Sequence, residues 1–588
     1  MRDGQSPVVV LQVDGAWWRF ANPVRVVVAK TAGDVDAAIR EVERGVEHEG
    51  LCAAGYLAYE AAAAYGLATH SPAEDGPPLA WFGLFQGYEP VAAPSAESTF
   101  NFGEWQPSLS YDSYETVIGR IKNAIAAGDT YQINYTFPLR ALFEGDAWAL
   151  FANLAAAQRA DFCAYVDLGR YAICSASPEL FFRLDGSSLT SRPMKGTASR
   201  GLTADEDRRQ IDWLRRSEKN RAENVMIVDM IRNDFGRIAH TGSVAVPALF
   251  TVERYPTLLQ MTSTVTAETD ASLSEILAAT FPCASITGAP KVSTMSIIQR
   301  LEPEPRGVYT GSVGFVAPGR RAQFNVAIRT AVIDRLRGRA VYGVGSGVVW
   351  DSDARAEYEE CLLKSRVLHA RPQSVGDFRL LESLRWSPDE GYFLLDRHLR
   401  RLGDSADYFN FKLDKEAAER ALSATATSLT GASKVRLLVD RRGQLEIEAH
   451  PIERSASPVP LRIGLARQPV ASTIVWLYHK TTRRDVYDQP RNTRPDCDDV
   501  ILWNERGELT ESTIANLVLE LEGRRYTPPV SCGLLPGTMR AHLLESGEIA
   551  ERVLTPADLD RASGVWLINS VRGWISVVAE SLQNPETS

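Results

Sequence analysis

The sequence lacks most of what marks an exported, membrane-spanning or nucleic-acid-binding chain. Its seven cysteines, Cys52, Cys163, Cys174, Cys283, Cys361, Cys497 and Cys532, are odd in number and scattered. With no CxxC pair and no His at zinc-ligand spacing, they exclude a disulfide framework and a structural zinc site. No segment offers the roughly 20 lipid-compatible residues a spanning helix needs, and the most apolar early stretch, from Leu51 to Thr69, is interrupted by Glu60. The start, MRDGQSPVVV, shows no basic region leading into an apolar one, so the expectation is no export signal, no membrane and a reduced, cytoplasmic setting. Positive charge is not in excess: 64 Lys and Arg against 74 Asp and Glu give a net −10. That is the wrong sign for binding a polyanion by counterion release, and nucleic acid is not expected as a partner. Repeats and low-complexity tracts are missing too, apart from short Ala-rich stretches.

What is present is an ordinary globular composition, 45% apolar and 23% charged, over 588 residues. Single cores stop growing at about 250–300 residues, so two large domains are expected. The clearest punctuation is Arg371-Pro372-Gln373-Ser374, because proline cannot continue the helical run DSDARAEYEECLLKSRVLHA. The boundary divides the chain into 1–371 and 372–588. In the first part, YAICS, LFFRLDG, GSVGFVAPG and FNVAIRTAVI read as strands, and SYETVIGRIKNAIAAGD as a helix stopping at Gly128. Long strands with interspersed helices indicate an α+β fold. In the second part FLLDRHLRRLGDSADYF and TMRAHLLESGEIAERVL read as helices, and VRLLVD, LEIEAH and ANLVLELEG as strands.

Four segments of the first part carry unusual chemistry. SASPELFF puts Glu179 beside a proline, where residue type alone reads as an exposed edge carboxylate. SRPMKGTASRG sets Lys195 on what reads as a loop, where a lysine is ordinarily solvated but becomes a nucleophile if its pKa falls. SEKNRAENVMIVDMIRNDFGRI is a helix bearing Glu223, Asp229, Arg232 and Asp234, for which ion pairs three and four apart are the plain account. Glu357, Glu360 and Lys364 share a helix face, and carboxylates from two helices are also what a Mg²⁺ ion takes together with waters and an anionic substrate. The glycine-rich GVGSGVV lacks a full GxGxxG, and SITGAPKVST lacks the P-loop frame, so neither supports nucleotide binding.

Together these segments, with GYLAYEAA, YQINYT, RPMKGT, FPCASITGAPK, GFVAPGRRAQFNVAIRTA and EYEECLLK, resemble the chorismate-utilising enzymes from about residue 50 to 370. The resemblance implies a large β-sheet sandwich with outer helices. It implies Mg²⁺ on Glu223 and Glu360, substrate contacts from Thr287, Gly288, Tyr309, Arg329, Gly345 and Gly347, and Lys195 as nucleophile with Glu179 as its acid/base partner. Lysine before GT resembles aminodeoxychorismate synthases, whereas anthranilate synthases typically carry alanine there. In YPTLLQMTSTV, Gln260 stands where many members have His, which removes a proton-transfer group and favours aminodeoxychorismate as product.

The second part offers Lys480 in VWLYHKTTRRDVYD after an apparent aromatic strand, Glu511 in a turn of GELTESTIANLVLELEG, and Pro536-Gly537 leading into a helix whose free N–H groups suit a phosphate. Residues 376–580 resemble the fold type IV pyridoxal phosphate enzymes, which have two α/β subdomains. The resemblance implies Lys480 as the cofactor-bonding lysine, Glu511 at the pyridine nitrogen, and Arg401, Thr538, Met539 and Ser570 around the phosphate. The expectation is a bifunctional enzyme that aminates chorismate to 4-amino-4-deoxychorismate and then eliminates pyruvate to give 4-aminobenzoate, in the folate pathway. The alternative is an aminodeoxychorismate or anthranilate synthase component I fused to a branched-chain or D-amino acid type aminotransferase. No GxC nucleophile motif of a glutamine amidotransferase is expected in the chain, so ammonia is expected from a separate glutaminase subunit or from solution. The family also implies a possible homodimer through the second domain.

Overall fold

The computed structural model describes residues 7–255, 258–369, 378–452 and 460–579. The proline-bearing segment at Arg371–Ser374 lies outside them. By internal contacts the chain divides into one unit of Met1–Ser199 with Ile211–Gln373 and another of Ser374–Ser588 with Arg200–Gln210.

The first unit is built on two mainly antiparallel sheets of 11 and 10 strands. Between them lies an aromatic core in which Phe20, Tyr56 and Phe85 are fully buried. Each such side chain contributes roughly 1.5–3 kcal/mol by leaving water. Helices cover the outer faces: Ala32–Glu47, Glu218–Gly236 and Leu273–Thr280 with the second sheet's cluster, Tyr111–Ala126 and Ala147–Gln158 with the first sheet's. Tyr111–Ala126 shows why: Tyr114, Ile118 and Ile121 recur on one face and are buried, and Gly128, at φ 79°, follows its end.

The run FNVAIRTAVI is not one strand. It divides into Arg321–Val326 in the 10-stranded sheet and Thr330–Asp334 in the 11-stranded sheet, and Arg329 turns the chain between them at φ 51°. The neighbouring run, antiparallel to it, does the same. Tyr171–Ser177 belongs to the 11-stranded sheet and Leu180–Asp185 to the other, with Pro178 and Glu179 at the crossing. The crossings are hydrogen-bonded to each other, from Val326 N to Glu179 O (3.0 Å) and from Ala176 N to Arg329 O (3.1 Å).

The second unit has a four-stranded antiparallel sheet backed by the helices Leu395–Phe409 and Lys415–Ala426, and an eight-stranded mixed sheet. In the latter, pairing of Glu511 with Asn516 closes a ring of strands. TMRAHLLESGEIAERVL is shorter as a helix than its sequence suggests: the helix Thr538–Glu545 stops before Gly547, at φ 76°, and Ala550–Glu551 is a strand. All seven cysteines are buried and free. Among the described residues no helix is long and apolar enough to cross a membrane. Contrary to the expectation that no GxC pattern occurs, Gly50-Leu51-Cys52 is one, but Cys52 sits in the strand Cys52–Leu57, where burial pushes its thiol up and leaves it a poor nucleophile.

Candidate active sites

In the first unit the chemistry gathers where the two sheets exchange strands. Ser177 fixes the crossing, donating to Val326 O (2.6 Å) and accepting from Glu179 N (3.2 Å). Glu179 is therefore not an exposed edge carboxylate: it is 3% exposed, and one of its oxygens has no hydrogen-bond partner. Burial pushes it up to about 7, with the Ser285 hydroxyl and the Lys195 charge opposing. A carboxyl in that range holds a proton it can give away near neutral pH.

Lys195 is not on a loop but on the strand Met194–Ser199. Met194 pairs with Thr262 and Thr197 with Gln260, so one residue is extra on the Lys195 side, a bulge in which Gly196 takes φ 93°. The bulge aims the lysine. Gln260 braces it from both ends of its amide, donating to Gly196 O (2.9 Å) and accepting from Thr197 Oγ1 (3.1 Å). Gly347 leaves room for the lysine: a Cβ there would lie 2.6 Å from Lys195 Nζ and 2.2 Å from Gln132 Nε2. Gln132, 1% exposed with an unpartnered Oε1, was not singled out by sequence. Its signal was a polar residue at an inward position of an apolar strand.

Glu223 and Glu360 face the same charges. Burial raises Glu223, Lys195 and Lys219 oppose this, and Glu357 and Glu360 add to it. Burial also works against Glu360, but its ion pair with Lys364 (2.7 Å) outweighs this and lowers it. No cluster of three or more metal-type side chains exists among the described residues. One or two carboxylates completed by water and an anionic ligand are a donor set that Mg²⁺ takes. Lys364 also donates to Gly345 O (2.8 Å), and Arg329 Nη1 to Lys364 O (2.6 Å), so the helix Ala354–Ser365 is tied to the strand Arg339–Val348 beside the crossing. The Tyr309 ring lies against Gly343, where a Cβ would come within 2.1 Å of it. Thr287 turns its hydroxyl into its own turn, donating to Cys283 O and Ala284 O, and Gly288 is pressed on Gln132 O. Asp229 and Arg232 form an exposed pair, and Asp234 is held by Lys291 (2.7 Å). A depression of about 770 Å³ contains Asp234 and Lys291 but neither Lys195 nor Glu179.

In the second unit Arg401, Lys480, Glu511, Thr538, Met539 and Ser570 line one cavity of about 400 Å³. Lys480 follows a 3₁₀ turn, Val475–Leu477, rather than a strand, and Leu381 N donates to its carbonyl. Burial pushes its ammonium down to about 8, reinforced by Arg401. Glu511 is on the strand Leu509–Ser512, not in a turn, at the pairing that closes the ring. Its carboxylate accepts from Tyr487 Oη (2.9 Å), Leu535 N (2.9 Å) and Asn516 Nδ2 (3.0 Å), yet burial pushes it up to about 8. Three donors aimed at a buried carboxylate make a place for a cationic ring nitrogen. The first turn of Thr538–Glu545 and Arg401 provide an anion site. The residues present therefore fit pyridoxal phosphate.

Glu382 and His398, which the sequence reading passed over, hold this site from behind. Glu382 accepts from Arg401 at both oxygens (2.9 and 2.6 Å) and contacts His398 Nδ1 (2.7 Å), whose Nε2 reaches Thr538 Oγ1 (3.2 Å). Burial opposes ionisation of Glu382, but Arg401 and His398 outweigh it and bring it to about 2. A depressed carboxylate stabilises the fold above its ordinary value and loses that contribution as pH falls toward about 2. Glu382→Gln should cost about 3–5 kcal/mol near neutral pH, as for other broken buried pairs. In urea unfolding, the gap from the unsubstituted protein should narrow as the medium is acidified.

The chorismate binding enzyme model matches residues 10–370. The chain belongs to the chorismate-binding enzyme family. An amino-transferase class IV model matches residues 379–579, so two family domains are fused in series. The chain is 40% identical over 294 residues to aminodeoxychorismate synthase component 1 of Klebsiella aerogenes, covering 50% of this chain and 63% of that one. It is 41% identical over 268 residues to the Escherichia coli protein of the same name, covering 45% and 59%. Anthranilate synthase component 1 of Aquifex aeolicus is 36% identical over 271 residues, covering 46% and 54%. The chain thus spans about six-tenths of the length of the first two relatives. Among solved structures, anthranilate synthase component I from Streptococcus pneumoniae superposes with a TM-score of 0.51 at 24% identity, covering 62% of this chain and 91% of that one. The menaquinone-specific isochorismate synthase of Escherichia coli gives 0.51 at 20%, covering 63% and 89%. These two likenesses concern the fold of the first domain.

Proposed function

We propose that the first unit aminates chorismate to 4-amino-4-deoxychorismate and that the second eliminates pyruvate from that product to give 4-aminobenzoate. The observation that carries the first half is Lys195 on its braced bulge, with the buried Glu179 within its electrostatic reach and Gly347 leaving space beside it. In this reading the Lys195 nitrogen bonds to the substrate ring as the C–O bond to the 4-hydroxyl breaks, and its ammonium proton passes to solvent. Glu179 gives its proton to the departing hydroxyl, which leaves as water. Ammonia then displaces the lysine, so one hard displacement becomes two easier ones. Glu223 and Glu360 would hold Mg²⁺, which supplies positive charge for the substrate's ring carboxylate, and Arg329 would face the enolpyruvyl carboxylate. Ammonia would come from a separate glutamine amidotransferase subunit or from solution.

In the second unit Lys480, Glu511, Arg401, Thr538, Met539 and Ser570 would hold pyridoxal phosphate, which when bound supplies an electron sink for the substrate's amine-bearing carbon. Glu511 keeps the ring nitrogen charged, Arg401 and the helix start hold the phosphate, and Lys480 moves the ring proton of the substrate. Covalent fusion raises the effective concentration of the intermediate for the second step.

The test supplies the purified chain with chorismate, Mg²⁺, pyridoxal phosphate and ammonium and identifies the aromatic product. The expected product is 4-aminobenzoate. 2-Aminobenzoate, or no aromatic product, would overturn the reading. Turnover of the cofactor by an amino acid and a 2-oxo acid alone would favour the aminotransferase alternative for the second unit.

A further inference from the structure

The cavity of the second unit has more positive charge than its cofactor requires. In the reading above Arg401, backed by Glu382, serves the cofactor's phosphate, and Lys480 bonds the cofactor. Two further elements, remote in sequence, bring cations to the same cavity. The strand Ser433–Val439 alternates, with Val435 and Leu437 fully buried in the core, so Lys434 and Arg436 lie on the opposite face and line the cavity. The turn between the strands Gly564–Asn569 and Gly573–Ala579 contributes Arg572.

These cations are not neutralised from within. Arg436 is paired with Glu448 (2.6 Å). Lys434 and Arg572, by contrast, have no carboxylate at ion-pair distance and no side-chain hydrogen bond among the described residues. The lysine bears the cost: burial pushes its ammonium down, Arg436, Arg572 and Arg484 push it further, and Glu448 only partly opposes. The Lys434 and Arg572 side chains are both exposed at the mouth of the cavity, so solvent screens their mutual repulsion without removing it. Such an arrangement is relieved by an anion entering among them.

We infer that Lys434 and Arg572 form a carboxylate-reading rim that selects an amine carrying two carboxylates over an amino acid carrying one. The inference rests on the lyase reading for the chemistry of the site and adds to it a substrate class. Chorismate-derived amines have a ring carboxylate and an enolpyruvyl carboxylate, both remote from the amine. A simple amino acid has a single carboxylate, next to its amine, and reaches no second cation. Lys434 and Arg572 are specificity residues in this account and take no part in the proton transfers.

The test uses the full-length protein loaded with pyridoxal phosphate and two unreactive probes, benzene-1,3-dicarboxylate and benzoate, with binding followed by calorimetry. The dicarboxylate should bind about tenfold more tightly than benzoate, and rising salt should reduce the difference, as expected for partly exposed charges. The double variant Lys434→Met, Arg572→Met should lose about tenfold in dicarboxylate affinity and leave benzoate within about twofold, while Lys434→Arg keeps the preference. In turnover, the same double variant should raise KM for aminodeoxychorismate about tenfold with kcat within about twofold. Equal affinity of the unsubstituted protein for the two probes, or unchanged dicarboxylate binding in the double variant, would overturn the rim. If the protein makes no 4-aminobenzoate yet prefers the dicarboxylate through these residues, the lyase reading falls and the rim stands. If 4-aminobenzoate forms with KM unmoved in the double variant, the rim falls and the lyase stands.

Discussion

Lys480→Ala should let 4-amino-4-deoxychorismate accumulate and lower 4-aminobenzoate formation by roughly 10²–10⁴-fold, the usual worth of a positioned acid/base group. The physical basis is the cavity itself. Burial pushes the Lys480 ammonium down to about 8, so its neutral amine is within reach of neutral pH, and Arg401 adds to the effect. In the proposed reading alanine removes the cofactor-bonding amine and the proton carrier in one change, while the buried Glu382–Arg401 pair beside the cavity stays intact. The first unit's consumption of chorismate should continue unchanged, which separates a lost second step from a misfolded chain. Formation of 4-aminobenzoate at the normal rate would show that another group moves the proton, and the lyase assignment would be wrong. Liquid chromatography of the two products decides the matter.

The second large effect is expected at the pair in the first unit. Lys195→Ala should stop chorismate amination, a loss of about 10²–10⁴-fold. Glu179→Gln should produce a loss of similar size with a distinct pH signature. In the proposed reading the protonated form of Glu179 is the acid, and because burial holds Glu179 near 7, the amination rate should fall as pH rises through about 7. The glutamine variant cannot donate that proton, so its residual rate should lack this limb. A pH profile of kcat/KM for the unsubstituted protein and the Glu179→Gln variant measures it. An unaltered limb in the variant would assign the ionisation to a different group.

Several elements were legible from residue pattern because their causes are local. The Tyr111–Ala126 helix follows from apolar spacing and a glycine beyond its end, and the buried strands from runs such as YAICS. That 588 residues exceed a single core followed from length alone. The six residues that motif resemblance named for the second unit line one cavity, although Arg401 and Ser570 stand 169 positions apart by their numbers. Other features needed partners that the local sequence does not reveal. Glu382 looked like any acid in a strand until His398 and Arg401 from a neighbouring helix appeared beside it.

By itself, the sequence determined composition, the absence of an apolar run long enough for a membrane, and the element types wherever period and capping agree, and it named the candidate side chains. Tertiary structure decided their state. It put Glu179 at a crossing between two sheets instead of at an exposed edge, turned the apparent loop of Lys195 into a bulge, and broke FNVAIRTAVI at Arg329. It also set Lys434 and Arg572 against the same cavity from unrelated elements. The reason is physical: propensity and periodicity act over a few residues, whereas burial, strand register and the field of neighbouring charges depend on segments that meet only in the folded chain.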